Sequence, residues 1–220
     1  MTTGSQAGVS APQYADPASA YERLLEGNAR FVEGNLEHPN QDAARRAALA
    51  GGQAPFASLL GCSDSRVAAE MIFDVGLGEM FIVRTAGQVT GNVSMGSLEY
   101  GVEALGTPLL VVLGHDSCGA VRATIDAVES GETPEGFIGD IVSGLYPSIV
   151  RARRAGDTSV EGAVTRNTVD TVLSLAQRSQ ILRRAIDEGR LEIVGLTYDL
   201  SDGRVQEVAR ITASGTTTAL

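Results

Sequence analysis

The sequence predicts an α/β fold: a mostly parallel central sheet flanked by helices. Two observations lead there. Short continuous apolar runs at Phe56 to Leu60, Met80 to Val83 and Leu109 to Leu113 mark strands buried on both faces, as parallel strands are. Stretches of helical spacing, at about Val93 to Leu105 and Cys118 to Ser130, separate and follow these runs, and such alternation is the pattern of crossover connections. A hydrophobic content of 43% supplies a core, and 220 residues suit one domain with an appended arm.

Residues 1–15 carry no periodicity and read as a flexible tail. Asp16-Pro17 reads as a helix start, because Asp caps and Pro fits the first turn. Tyr21, Leu24, Leu25, Phe31 and Val32 lie near one face of that helix. A second short helix covers about Gln41 to Ala50, stopped by Gly51-Gly52. Residues 16–50 therefore form an N-terminal helical arm, and residues 51–212 the α/β domain. Within the domain, residues 134–156 look helical after a Pro-bearing turn. Val160 to Glu188 reads as one long helix with Gly189 as its C-cap. Leu191 to Leu200 is a strand, Ser201-Asp202-Gly203 a turn, and Arg204 to Ala209 a returning strand. Residues 213–220 read as a C-terminal tail.

The charge balance narrows the function. There are 17 basic and 27 acidic residues, for a net charge of −10. Nucleic acid and anionic membranes need a basic surface, so neither is expected as the main partner. Every basic residue is Arg, which excludes a Schiff-base or P-loop lysine. No run approaches the roughly 18 apolar residues of a spanning helix. The first residues lack the basic and apolar regions of a secretory signal. A cytoplasmic location is expected, with both cysteines reduced.

Two loops gather the reactive side chains. Gly61-Cys62-Ser63-Asp64-Ser65-Arg66 follows the first apolar run, and Gly114-His115-Asp116-Ser117-Cys118-Gly119 follows the third. Ligands of open α/β sheets bind outside the carboxyl ends of strands, where such loops meet. Cys62, His115 and Cys118 offer two thiolates and an imidazole, a donor set suited to zinc. Three ligands are fewer than a closed structural site uses, so a fourth place goes to water, to a carboxylate such as Asp64, or to His38. Asp64 can turn toward the metal or pair with Arg66, which would hold it ionised and off the metal. Asp116 and Ser117 read as helix-cap residues.

The two loops together resemble the beta-class carbonic anhydrases, from about Asp16 to Tyr198. The resemblance implies a zinc enzyme, a lyase, that interconverts carbon dioxide and bicarbonate, with one Zn2+ per subunit held by Cys62, His115 and Cys118. It implies a hydroxide formed on the metal, with Asp64 and Arg66 as the catalytic dyad that orients it, and Asp64 as a possible fourth ligand in a closed state. Gln53, Phe81 and Tyr100 match pocket residues, Tyr100 entering across a subunit interface. The arm would pack on a partner subunit, giving a dimer or tetramer. Where many members read Arg-Asn-Ala-Gly, this chain reads Arg84-Thr85-Ala86-Gly87. Leu59 stands where some members place a tryptophan of an inhibitory bicarbonate site. Two alternatives use the same donor set: a hydrolase of a carbon dioxide analogue such as carbonyl sulfide, and a zinc-stabilised, non-catalytic bicarbonate-binding protein.

Overall fold

The computed structural model describes residues 14–219; most of the expected N-terminal tail lies outside that range. Six strands form one sheet in the order β2-β1-β3-β4-β5-β6: β1 is Ala57–Cys62, β2 Met80–Thr85, β3 Leu109–His115, β4 Glu192–Tyr198, β5 Val205–Thr212 and β6 Gly215–Thr218. The first four are parallel, and β5 and β6 join antiparallel. The helices are α1 Pro17–Glu33, α2 Ala43–Ala48, α3 Ala69–Ile72, α4 Asn92–Glu103, α5 Gly119–Ser130, α6 Ile138–Arg154, α7 Val160–Arg178 and α8 Gln180–Asp187.

Every residue of β1 and β3 is buried. Successive side chains of a strand point to opposite faces. Leu60, Leu110 and Val112 accordingly meet Leu98 of α4 and Val172 and Leu175 of α7. Leu59, Val111 and Leu113 share the other core with Leu24 of α1 and Phe73. Helices cover both faces, so the apolar runs are continuous rather than alternating.

The arm helix α1 starts as its sequence dictates. Asp16 accepts a hydrogen bond from the Ser19 N–H (3.0 Å), and Gly34, at φ 72°, closes the C-terminus. Its inner face sits on its own chain. A Cβ on Gly27 would lie 1.8 Å from the Phe73 carbonyl oxygen, so only glycine permits this approach. Arg23 donates to the Asp74 carbonyl (2.7 Å), and Asn28 donates to the Gly203 carbonyl (2.8 Å).

Two readings of the sequence are corrected. The expected helix over residues 160–188 is broken at Ser179, whose φ of −104° and ψ of 115° are not helical. The Ser179 hydroxyl accepts from the Leu182 N–H and donates to Glu99, so it both caps α8 and fastens the break to α4. Part of the expected C-terminal tail is the edge strand β6, paired with β5 from Ala209↔Thr218 to Thr212↔Gly215. Gly-Thr-Thr-Thr carries no apolar alternation, but Thr suits a strand and the backbone pairing needs no side-chain pattern. No helix among the described residues is long and apolar enough to cross a membrane.

Asp74 ties the α1–α2 connection to the domain. It is 2% exposed, sits at φ 45°, and accepts from Arg30 Nε (2.7 Å) and from the backbone N–H groups of Glu37 and His38 (both 3.0 Å). Burial opposes its ionisation, but these donors outweigh burial and lower its pKa. A lowered carboxylate pKa gives stability that is present above the unfolded value and lost as pH falls through the folded one. Asp74→Asn tolerates the left-handed backbone but turns an N–H donor toward donors. It should destabilise by about 2–3 kcal/mol near neutral pH. Thermal melts from pH 3 to 8 check this: the difference from wild type should shrink at the acid end, and an unchanged melt at pH 7 would contradict it.

Candidate metal centre

The sheet register builds the centre. Cys62 ends β1 and His115 ends β3, and these strands run parallel side by side with Gly61 opposite Leu113. Two residues far apart in sequence thus emerge at the same end of the sheet. After His115, Ser117 takes a left-handed φ of 51° and turns the chain so that Cys118 sits at the N-cap of α5. The Cys62 and Cys118 sulfurs and a ring nitrogen of His115 lie within 4.8 Å of one another, and all three residues are buried. A tetrahedral ion with bonds of about 2.0–2.3 Å sets its ligands roughly 3.5 Å apart, so the triangle is of suitable size.

The donor chemistry favours a cation. His115 Nδ1 donates to the Asp116 carbonyl (2.7 Å), which fixes the tautomer and leaves a lone pair on Nε2. That Nε2 is buried with no hydrogen-bond partner among the described residues. An unpaired buried acceptor is costly and needs an explanation. The thiols supply a second reason. The Cys118 thiol beside it holds the Cys62 thiol well below the ordinary thiol range, and direct contact with the Cys62 sulfur, followed by burial, pushes Cys118 well above it. Burial pulls the His115 imidazole down, but the Cys62 thiolate beside it raises it overall. One thiol ionises at the other's expense, so a divalent cation would relieve the pair and use the orphaned imidazole nitrogen. The Cys62, His115 and Cys118 side chains therefore fit a zinc ion.

Asp64 stands beside the triangle. Its Oδ2 is 3.9 Å from His115 Nε2. Arg66 grips it through Nη2 to Oδ2 (2.6 Å) and Nε to Oδ1 (2.9 Å), and the Arg66 backbone N–H adds a third bond at 2.9 Å. Hydrogen bonds from Arg66 hold the Asp64 carboxyl far below the usual carboxylate range. Arg66 in turn donates to the Ser117 carbonyl (3.3 Å), linking the dyad to the loop that carries Cys118.

Sequence reasoning missed the supports. Arg84 Nε donates to the Cys62 carbonyl (2.9 Å) and Nη2 to the Asp64 carbonyl (2.6 Å), bracing the segment between ligand and dyad. The sequence signal was the Arg84-Thr85-Ala86-Gly87 segment, noted through the resemblance without this bracing role; the structure sets Arg84 opposite Gly61 on β2. The Gly87 N–H donates to Cys62 Sγ (3.4 Å) from a left-handed φ of 62° that favours glycine. Asp116 and Ser117 are not helix caps: Cys118 holds the N-cap position, and Asp116 Oδ1 accepts from the Leu200 N–H (2.8 Å), joining the loop to the end of β4. His38 is exposed on the α1–α2 connection and is not part of the centre.

The three pocket residues lie elsewhere within the chain. Phe81 pairs with Ser58 near the start of the sheet, four residues before Thr85, which pairs with Cys62. That is about 13 Å along the strand from the level of the donors. Tyr100 packs beside Phe81 with ring centroids 6.0 Å apart and is half exposed. Gln53 precedes β1 and lines a cleft with Leu49, Leu77 and Gly78, at the end opposite Cys62.

Comparison with known proteins places this site in a family. A family model described as carbonic anhydrase matches residues 57–205. The carbonic anhydrase of Mycolicibacterium smegmatis is 50% identical over 192 residues, which is 87% of this chain and 93% of that protein. Carbonic anhydrase 2 of Mycobacterium tuberculosis is 50% identical over 189 residues, 86% of this chain and 91% of its own. Among solved structures, the Coccomyxa beta-carbonic anhydrase in complex with acetazolamide superimposes with a TM-score of 0.67 at 27% identity, covering 86% of each chain.

Proposed function

Since the chain belongs to the beta-class carbonic anhydrase family and is an enzyme of that class, we propose that it hydrates carbon dioxide reversibly at the Cys62–His115–Cys118 centre, with one zinc ion per chain and Asp64 and Arg66 as its orienting dyad. The observation that carries this reading is the Asp64 carboxylate, held ionised by Arg66 with Oδ2 3.9 Å from His115 Nε2.

When bound, zinc acts as a Lewis acid that lowers the pKa of a water to about 7, a figure measured for three-histidine carbonic anhydrases. The chain's own residues do the rest. An ionised carboxylate has no proton to donate, so Asp64 accepts from the reacting water and turns its lone pair toward carbon dioxide. Arg66 fixes the direction of that acceptor through two parallel hydrogen bonds and keeps it ionised. Arg84 keeps the Cys62–Asp64 backbone from swinging as charge shifts. Release from Arg66 would free Asp64 to become the fourth ligand, which is the closed state. The intact Arg66 pair favours the open arrangement, and so argues against a permanently closed, non-catalytic scaffold. No feature of the site separately supports carbonyl sulfide as substrate.

Asp64→Asn keeps the shape but puts an N–H where an acceptor is needed. Turnover should fall roughly 10–100-fold with zinc content unchanged, the scale typical of residues that orient a metal site. Stopped-flow hydration on zinc-quantified protein is the check, and full turnover would remove Asp64 from the mechanism.

Self-association follows from the split between donors and pocket residues. Gln53, Phe81 and Tyr100 lie far from their own chain's donors, and Val93 and Tyr100 leave apolar surface on α4 at 85% and 50% exposure. In a dimer these residues complete the pocket of the other subunit, Gln53 offering amide donors to the bound anion. Sedimentation at assay concentration should give at least twice the chain mass. A fully active single chain would contradict this.

A further inference from the structure

A cleft of about 530 Å³ opens between α6 and α7, and none of its lining residues belongs to the metal centre or the dyad. Its wall holds three arginines, Arg151, Arg166 and Arg178, against a single acid, Asp170. The local balance is 3 − 1 = +2, in a chain whose net charge is −10. Such a concentration of positive charge in a concavity attracts small anions while the whole protein repels polyanions.

The arginines are only partly used. Arg151 spends Nη1 on Asp170 (2.9 Å), and Arg166 spends Nε and Nη2 on the same carboxylate (both 3.0 Å). Arg178 spends Nη1 on the Thr90 hydroxyl (2.9 Å) and forms no ion pair with an acid among the described residues. Arg151 Nε and Nη2, Arg166 Nη1, and Arg178 Nε and Nη2 therefore keep donors to offer. One acid orients two of the guanidiniums and leaves the site cationic. The cleft is several times larger than one tetrahedral oxyanion, and Leu173 gives part of its wall an apolar surface. Nearby, Asn167 donates to the Gly87 carbonyl (3.2 Å), and Gly87 donates to Cys62 Sγ, so the cleft backs onto the loop that supports the metal centre.

We propose that this cleft binds a small organic phosphate, its dianionic head held by Arg151, Arg166 and Arg178 and its carbon skeleton lying along the apolar wall. The proposal does not depend on the reaction assigned to the metal centre. The test is calorimetric titration of the zinc-loaded protein with glycerol 3-phosphate and, separately, inorganic phosphate, at constant ionic strength set with sodium chloride. Glycerol 3-phosphate should bind saturably, and the Arg151→Gln/Arg178→Gln variant should bind it at least tenfold more weakly with unchanged basal carbon dioxide hydration. Comparable binding of inorganic phosphate, lost in the same variant, supports the site with the head group alone as ligand. Equal affinity in wild type and variant would place the anion at the metal centre and overturn the proposal. So would the absence of saturable binding. A change in sedimenting mass of the variant, with no phosphate bound by wild type, would assign the cleft to a second copy of the chain and also overturn it. If circular dichroism shows the double variant misfolded, Arg178→Gln alone serves for the same comparison, since it removes only the bond to Thr90.

Discussion

Two thiols and an imidazole packed into one buried triangle form an arrangement that does not satisfy itself. If Cys62 is ionised, Cys118 is pushed toward its neutral form, and His115 Nε2 faces them with no hydrogen-bond partner among the described residues. Burial makes each of these defects costly, and a shared divalent cation answers all of them together. The rest of the architecture can be read as what is needed to hold that triangle open for a cation while keeping Asp64 outside it.

Parallel pairing of β1 and β3 does the first part. It delivers Cys62 and His115 to the same end of the sheet, and the left-handed turn at Ser117 brings Cys118 back to them. Hydrogen bonds from three other elements then fix the loops. Arg84 reaches from β2, Gly87 from the turn after it, and the Leu200 N–H from the end of β4 to Asp116. Arg66 supplies the second part by gripping Asp64 from the open side. Because Arg66 also binds the Ser117 carbonyl, loosening of either loop would be felt at the dyad. The arm helix joins this scheme indirectly, as Asn28 holds the Gly203 carbonyl and the Val205 N–H at the start of β5.

Much of this was legible in the sequence, for physical reasons that differ by residue. Cys62, His115 and Cys118 stood out because their types are rare in this chain and follow apolar runs, where parallel strands end. The Asp64–Arg66 pairing was legible because the two residues are two apart in one loop. Ser179 was not legible as a break, since Val172, Leu175, Leu182 and Ile186 keep helical spacing across it, and its tie to Glu99 spans 80 residues of sequence. Asp116 resembled a cap because its partner, Leu200, lies 84 residues away. The edge strand β6 left no hydrophobic pattern to read. Gln53, Phe81 and Tyr100 were found through family resemblance alone; the fold sets them at the far end of their own sheet, so local sequence offers no hint of what they serve.

X-ray absorption at the zinc edge tests the central claim most directly, since it reads the metal's ligands without reference to activity. The account predicts two sulfur scatterers at about 2.3 Å together with nitrogen or oxygen neighbours at about 2.0–2.2 Å, in protein that binds one zinc per chain. A shell lacking sulfur, or containing only one, would show that Cys62, His115 and Cys118 do not share an ion, and the mechanism built on them would fall.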